Sequence, residues 1–432
     1  MPNARSGGAA SAARAHLLPL ISYADFVDNA LFHPTWGYYS TGGVRFGDGG
    51  HYDTYPLALS PYFGGMVAGY AYRLWQRLGA PAAFEICELG AGNGQLCLDT
   101  LLWFDQHSGR PAAWKRFVEA TRYRIIERSP GLIDRQRRQL GPLAGRVRWS
   151  RADFSQRGPR KPFGANGLIV ANEVLDCLPH HKLVYMPDGA PGVGHVTARL
   201  GRTPLTAVQL ARAMADDKQR ARVRFAERIV PLSELPDLAA FTAEHYADWL
   251  AAPRPGPPIF VAPRMVPLLA STGRCYEHGD ALWIDYGGLR PFHLRAPEHR
   301  KAFAGPPRSA RSVFDDPGRD DITFMVDFSL AQAAARAGGW RIVTYGPQAE
   351  LARRGGVTLD DTAVDRIVQH RALGWLLALA GVGPERSWRR GAVTWTAAGS
   401  PDRIPVQRYV RDSVREFLRQ RGATFHILIA RR

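Results

Sequence analysis

From residue 80 onward the chain alternates short apolar runs with longer amphipathic stretches. Phe84 to Leu89, Tyr123 to Ile126, Val147 to Ser150, Leu168 to Ala171 and Ala281 to Ile284 read as five strands, and Gly94 to Phe104 carries helical spacing. Strands separated by helices predict a mostly parallel sheet with right-handed crossovers. Between the fourth and fifth strands the pattern changes. Lys182 to Met186, His195 to Leu200 and Arg222 to Arg228 read as further strands, the last alternating Arg222-Val223-Arg224-Phe225 with the period of two that suits one wet face. They predict a small antiparallel annex, its arginines a solvated face. Later come helices around Ser329 to Ala337 and Ala363 to Ala380, and strands at Trp340 to Tyr345 and Thr424 to Ala430.

At the other end Ser22 suits an N-cap, because Tyr23, Phe26, Val27, Ala30 and Leu31 recur along one helical face. The aromatic, glycine-rich stretch Phe32 to Gly50 then predicts a loop laid over a pocket. Pro253 to Pro258 reads as a stiff connector. The resulting division is a tail over 1–20, a cap over 21–80, a core over 81–180 and 259–300 closed by 340–345 and 424–430, an insertion over 181–258, and a helical extension over 301–420.

Composition narrows this picture. With 45% apolar and 10% aromatic residues among 432, the chain can bury a sizeable core. Its net charge is +17, yet only five of the basic residues are lysines and 51 are arginines, spread from end to end. An excess so evenly spread is a poor nucleic-acid footprint, and no specific nucleic-acid partner is expected. Cys87, Cys97, Cys177 and Cys275 show no paired metal spacing, so no structural metal is expected. No apolar run reaches the length of a membrane span, the longest being Leu373 to Val382. The first twenty residues hold Arg5, Arg14 and no acid. A plain tail on a cytoplasmic protein and an organelle transit segment both fit that composition.

The candidate chemistry begins at Glu85-Ile86-Cys87-Glu88-Leu89-Gly90-Ala91-Gly92-Asn93-Gly94-Gln95-Leu96. A strand running into alternating glycines places a tight turn at the carboxyl edge of the sheet, where open α/β folds bind ligands. The dinucleotide fingerprint requires Gly or Ala where this chain has Gln95, which disfavours NAD. S-adenosylmethionine fits better. Gly90, Ala91, Gly92, Asn93 and Gly94 offer bare backbone to its amino acid moiety, and Glu88 a charge for its ammonium. Glu127 closes the second strand, where a carboxylate can accept both ribose hydroxyls. Asp153 follows the third, placed for the adenine amino group, with Phe154 flanking the ring.

The fourth strand ends in Asn172-Glu173-Val174-Leu175-Asp176-Cys177-Leu178-Pro179-His180-His181. This segment resembles the N-E-[FV]-[FL]-D-A-L-P-V-H motif of the MidA-like S-adenosylmethionine-dependent methyltransferases, relatives of the mitochondrial complex I assembly arginine methyltransferase. Further matches are Ile21-Ser22-Tyr23-Ala24, His33-Pro34 to Tyr39, Phe46-Gly47 to Thr54, Ser60 to Gly64, Ile284-Asp285-Tyr286-Gly287, Asp316-Pro317-Gly318, Asp321-Ile322-Thr323 and Val326-Asp327-Phe328. The resemblance implies an α/β, Rossmann-like class I methyltransferase: a mostly parallel seven-stranded sheet with an N-terminal cap, an inserted annex and a C-terminal helical extension. It also implies, from the mitochondrial relative, a protein arginine as acceptor. His51 replaces a family acid, Thr54 to Ser60 lacks a family Glu, and Ile322 to Phe328 lacks a family His.

Methyl transfer to a guanidinium needs carboxylates to orient it and to accept the proton it sheds. Glu173 and Asp176 are the candidates, with His181 a further proton acceptor and Asn172 a polar guide beside the cofactor. The rival readings are a nucleic-acid methyltransferase, a small-molecule methyltransferase and a non-enzymatic assembly factor that binds the cofactor. Nucleic-acid enzymes hold a flipped base with a Pro-Pro-aromatic element after the fourth strand, where this chain reads Asn-Glu-Val-Leu.

Overall fold

The computed structural model describes residues 20–41, 44, 54–106, 111–251, 257–290, 302–304, 312–379, 394–396, 403–419 and 425–432. Its main sheet holds β1 (Phe84–Leu89), β2 (Thr121–Glu127), β3 (Val147–Arg151), β4 (Gly164–Asn172), β5 (Tyr276–Gly288), β6 (Arg341–Pro347) and β7 (Phe425–Arg431). They lie in the order β3-β2-β1-β4-β5-β7-β6, all parallel except β7, which runs antiparallel to both neighbours. A two-residue strand, Val326–Asp327, adds to the end of β5. Every strand anticipated for this sheet is present: β1 keeps its expected bounds, β2 to β5 are longer, and β6 and β7 each begin one residue later than expected. Strand order reverses between β1 and β4, and there the carboxyl ends leave a crevice.

The period of two divides the core. Ile86, Leu168, Val170, Leu282, Ile284, Ile427 and Ile429 face one side, packing on helices Tyr62–Arg77, Gln95–Gln106, Ala112–Ala120 and Val406–Arg419. Cys87, Ile169, Ala171, Ala281, Trp283, Leu428 and Ala430 face the other, against helices Met265–Thr272 and Phe328–Ala337. A sheet covered on both faces explains why its strands read as near-continuous apolar runs.

The annex is antiparallel, as expected, but larger than its three anticipated strands. His181–Tyr185, Pro191–Leu200, Thr203–Pro204 and Val223–Pro231 are joined by Ile21–Ser22 from the N-terminus and by Ile259–Val261. The last of these carries the annex past the boundary expected at 258. Ser22 caps helix Tyr23–Phe32, accepting from Asp25 N at 3.0 Å. That helix packs Phe26, Val27 and Leu31 against Val196, Leu210, Met214 and Phe324 in a separate hydrophobic core. The first part of the cap, from Ile21 to Tyr39, therefore forms one body with the annex, while its second part, helix Tyr62–Arg77, packs on the main sheet. The chain then folds back: Tyr38 N bonds Ala30 O at 2.9 Å and Tyr39 N bonds Leu31 O at 2.8 Å. Gly37 sits where a β-carbon would lie 2.3 Å from His33 N, so no larger residue makes this turn.

The tail over 1–19, the stretch from Arg45 to Asp53 that includes His51, most of the connector from Pro253 and the helix end at Ala380 lie outside the described residues. Among the described residues no helix is long and apolar enough to cross a membrane.

Candidate active site

β1 delivers the chain into a turn in which Gly90, Gly92 and Gly94 take φ of +62°, +55° and +90°, all left-handed. Three such positions in five residues need glycine. Gly90 also has a steric reason, since a β-carbon there would come within 3.1 Å of Val174 Cγ2 on the loop after β4. The turn thus lies directly against the loop that carries the acceptor candidates.

Around it opens a cleft of about 420 Å³, a size that suits a small-molecule cofactor. Glu88, Gly90, Ala91, Gly92, Asn93, Glu127, Asp153, Phe154, Asn172, Glu173 and Asp176 all line it. Gly94 does not, standing one layer behind against Gln136. His181 does not either. It starts an annex strand, its Cα paired with Val261, and its Nδ1 is buried without a hydrogen-bond partner. Burial, then the nearby His195 and Arg264, hold its pKa down to about 4 against the pull of Asp25. Outside the cleft lining and made a weak base by burial, His181 is not placed to take a proton from an acceptor there, contrary to the expectation from sequence.

The acids expected to meet the cofactor are held by hydrogen bonds, with Glu88 and Glu127 both buried. Glu88 accepts from the Tyr123 hydroxyl at 2.7 Å, and burial, reinforced by the charge of Glu127, pushes its pKa up to about 7. Glu127 accepts from Ser129 N at 2.9 Å and Gln136 Nε2 at 3.1 Å, and burial lifts it likewise to about 7. Gln136 is wholly buried. The same Nε2 donates to Gly92 O at 3.0 Å, while its Oε1 accepts from Trp149 Nε1 at 3.0 Å. Asp153 is differently employed: it accepts from Ser155 N and Oγ and from Gln156 Nε2, and pairs with Arg128 at 3.3 Å. Arg128 in turn binds Asp28 of the cap at 2.8 Å and lies 3.9 Å over the Phe32 ring. So Asp153 also braces the turn after β3 and ties it to the cap.

The end of the cleft where the sequence places the acceptor candidates is built on the loop after β4. Glu173 holds φ of +51°, a conformation uncommon for a residue with a side chain, with its N–H bound to Ile284 O at 2.8 Å. Asp285 of β5 anchors the segment just beyond Glu173. Its Oδ2 accepts from the N–H groups of Val174, Leu175 and Asp176 at 3.2, 2.9 and 3.3 Å. Asp176 is buried and accepts from the Tyr286 hydroxyl, while its Oδ1 has no hydrogen-bond partner. Burial drives its pKa up to about 6 even though Tyr286 opposes the shift. Asn172 Nδ2 donates to Glu173 Oε1 at 3.2 Å, and its own Oδ1 is buried without a partner.

Sequence reasoning assigned no role to Gln136, Asp285 or Tyr286. The Ile284-Asp285-Tyr286-Gly287 match marked the last two. Nothing marked Gln136, which is one polar residue among several on helix Pro130–Leu140.

Fold and cleft together define the class I methyltransferase architecture. A Burkholderia thailandensis protein crystallised with S-adenosyl-homocysteine shares that fold, with a TM-score of 0.65 and 22% identity over 96% of this chain and 88% of that one. Residues 66–346 match the family described as "Putative S-adenosyl-L-methionine-dependent methyltransferase". The chain belongs to this family: it is a methyltransferase, and its cofactor is S-adenosylmethionine. It is 35% identical over 349 residues to the mitochondrial protein arginine methyltransferase NDUFAF7 of Danio rerio, covering 76% of this chain and 70% of the relative. The Drosophila melanogaster homolog of that protein is 27% identical over 353 residues, covering 77% and 71%.

Proposed function

We propose that the chain transfers a methyl group to a guanidino nitrogen of a protein arginine. The carrying observation is Asp176, a buried carboxylate with one oxygen unpartnered, beside Glu173 in its left-handed backbone on the same cleft wall. An uncompensated buried carboxylate is costly, and a cationic acceptor relieves that cost where an aliphatic carbon does not. The arginine methyltransferases among the relatives support the same acceptor.

On this reading the glycine turn receives the amino acid moiety of the cofactor. Glu88 faces its ammonium, Glu127 takes the ribose hydroxyls, and Phe154 with Asp153 borders the adenine. Bound there, S-adenosylmethionine supplies an electrophilic methyl on a sulfonium. Glu173 and Asp176 hold the acceptor in line and receive its proton. Orientation of this kind is worth about 7 to 11 kcal/mol of barrier. The mitochondrial names of the relatives support an organellar location over the cytoplasmic expectation.

The test is methyl transfer from radiolabelled S-adenosylmethionine to a whole-cell extract split into protein, nucleic-acid and small-molecule fractions, followed by amino acid analysis of the labelled protein. Label recovered as methylarginine is the expected result. Label confined to another fraction overturns the arginine assignment.

A further inference from the structure

A third acid, after Glu173 and Asp176, reaches the acceptor end of the cleft from a distant part of the chain. Asp321 precedes strand Ile322–Phe324, whose Phe324 N donates to Asp176 O at 3.2 Å. Asp321 lines the cleft, is only 5% exposed, and accepts from the Tyr39 hydroxyl at 2.9 Å. That hydroxyl also stands 3.5 Å from Cys177 Sγ, next in the chain to Asp176. The arrangement repeats the one around Asp176, where Tyr286 is the donor. Each carboxylate is gripped by a tyrosine, and each raises the cost of charge on the other. Among the described residues neither makes an ion pair, in a chain that carries 51 arginines. Two buried acids left without a cation in so basic a protein make a seat for a cation from outside.

We propose that Asp321, set in place by Tyr39, determines acceptor specificity by forming with Asp176 a two-carboxylate seat for the guanidinium. The proposal rests on the arginine reading above and adds its second wall. In the transfer, the guanidino nitrogen forms the new N–C bond while the C–S bond breaks with its electron pair on sulfur. The nitrogen gives up one proton to a carboxylate of the seat, and the acceptor leaves with its single positive charge restored.

The experiment is calorimetry on the full chain saturated with S-adenosylhomocysteine, using Nα-acetyl-arginine methylamide and its neutral citrulline counterpart as probes. The arginine probe should bind and the citrulline probe should not. Asp321→Asn should weaken the arginine probe by about tenfold or more, as expected of a charge-assisted hydrogen bond, with cofactor affinity unchanged within about twofold. Asp321→Glu should recover part of the loss. Tyr39→Phe removes only a hydroxyl and should weaken the probe several-fold, which decides the matter even where Asp321→Asn folds poorly. Unaltered probe binding in both Asp321→Asn and Tyr39→Phe overturns the seat and leaves the arginine reading standing. A wild type that ignores the arginine probe while methylating a non-protein acceptor overturns both.

Discussion

Gln136 donates to the Glu127 carboxylate at 3.1 Å through the same amide nitrogen that lies 3.0 Å from the Gly92 carbonyl. One side chain thus sets the glycine turn and Glu127, the acid proposed to take the ribose hydroxyls, relative to each other. Gln136→Met keeps the length and apolar packing but removes both donors. It should weaken S-adenosylhomocysteine by about 1.5 kcal/mol or more, the worth of a hydrogen bond to a charged group. Calorimetry measures this directly, and an unchanged dissociation constant would remove Gln136 from the site.

Glu127→Ala deletes the acid itself and should weaken the same ligand by about 1.5 to 3 kcal/mol. NAD should not compete. If NAD bound more tightly than S-adenosylhomocysteine, the assignment of the glycine turn would fail.

Glu173 gives a prediction in which stability and activity part company. Its left-handed backbone costs about 1 to 2 kcal/mol for a residue with a side chain, so Glu173→Gly should leave the melting temperature level or higher. Both Glu173→Gly and Glu173→Gln should lower turnover by about 10²-fold or more, with cofactor affinity kept within a few-fold. Thermal melts and single-turnover methylation on the same preparations separate the two effects. Undiminished turnover with lost cofactor affinity would move Glu173 to the cofactor side.

The buried carboxylates predict a pH dependence of definite sign. Glu88, Glu127 and Asp321, together with Asp99 buried on helix Gln95–Gln106, are raised by burial from ordinary carboxylate values to about 7. Between about pH 4 and 7 the native chain therefore holds more protons than the unfolded one, and stability without ligand falls as pH rises across that window. A ribose donating to Glu127 and an ammonium beside Glu88 favour the charged forms. Cofactor binding near pH 6.5 should release protons. Titrations in buffers of different ionisation enthalpy count them, and no release would contradict the contacts assigned to these acids.

Net basicity predicts little selectivity. Arg222, Arg224 and Arg228 are exposed on the annex strand or just before it. Binding to a short duplex should be weak and should fade between about 50 and 200 mM salt. Sequence-selective binding that survives physiological salt, measured by fluorescence anisotropy, would overturn this.

What the sequence determined by itself is whatever rests on local chemistry. The strands of the main sheet were legible because burial on both faces writes continuous apolar runs. The turn was legible because left-handed backbone selects glycine. Glu88, Glu127, Asp153 and Glu173 were legible as residues lining the cleft because a strand end in a parallel sheet fixes where the next polar residue emerges. Tertiary structure decided the rest. It carried His181 into the annex, because the strand that starts there pairs with Ile259–Val261 and not with the main sheet. It split the cap, joining its first part to the annex through Ile21–Ser22, a pairing too short to mark itself in sequence, and its helix Tyr62–Arg77 to the main sheet. It brought Tyr39 to Asp321 across 282 residues, and Asp285 under the Glu173 loop across about 110. Such contacts depend on which apolar faces bury against one another, and periodicity along the chain does not encode that choice.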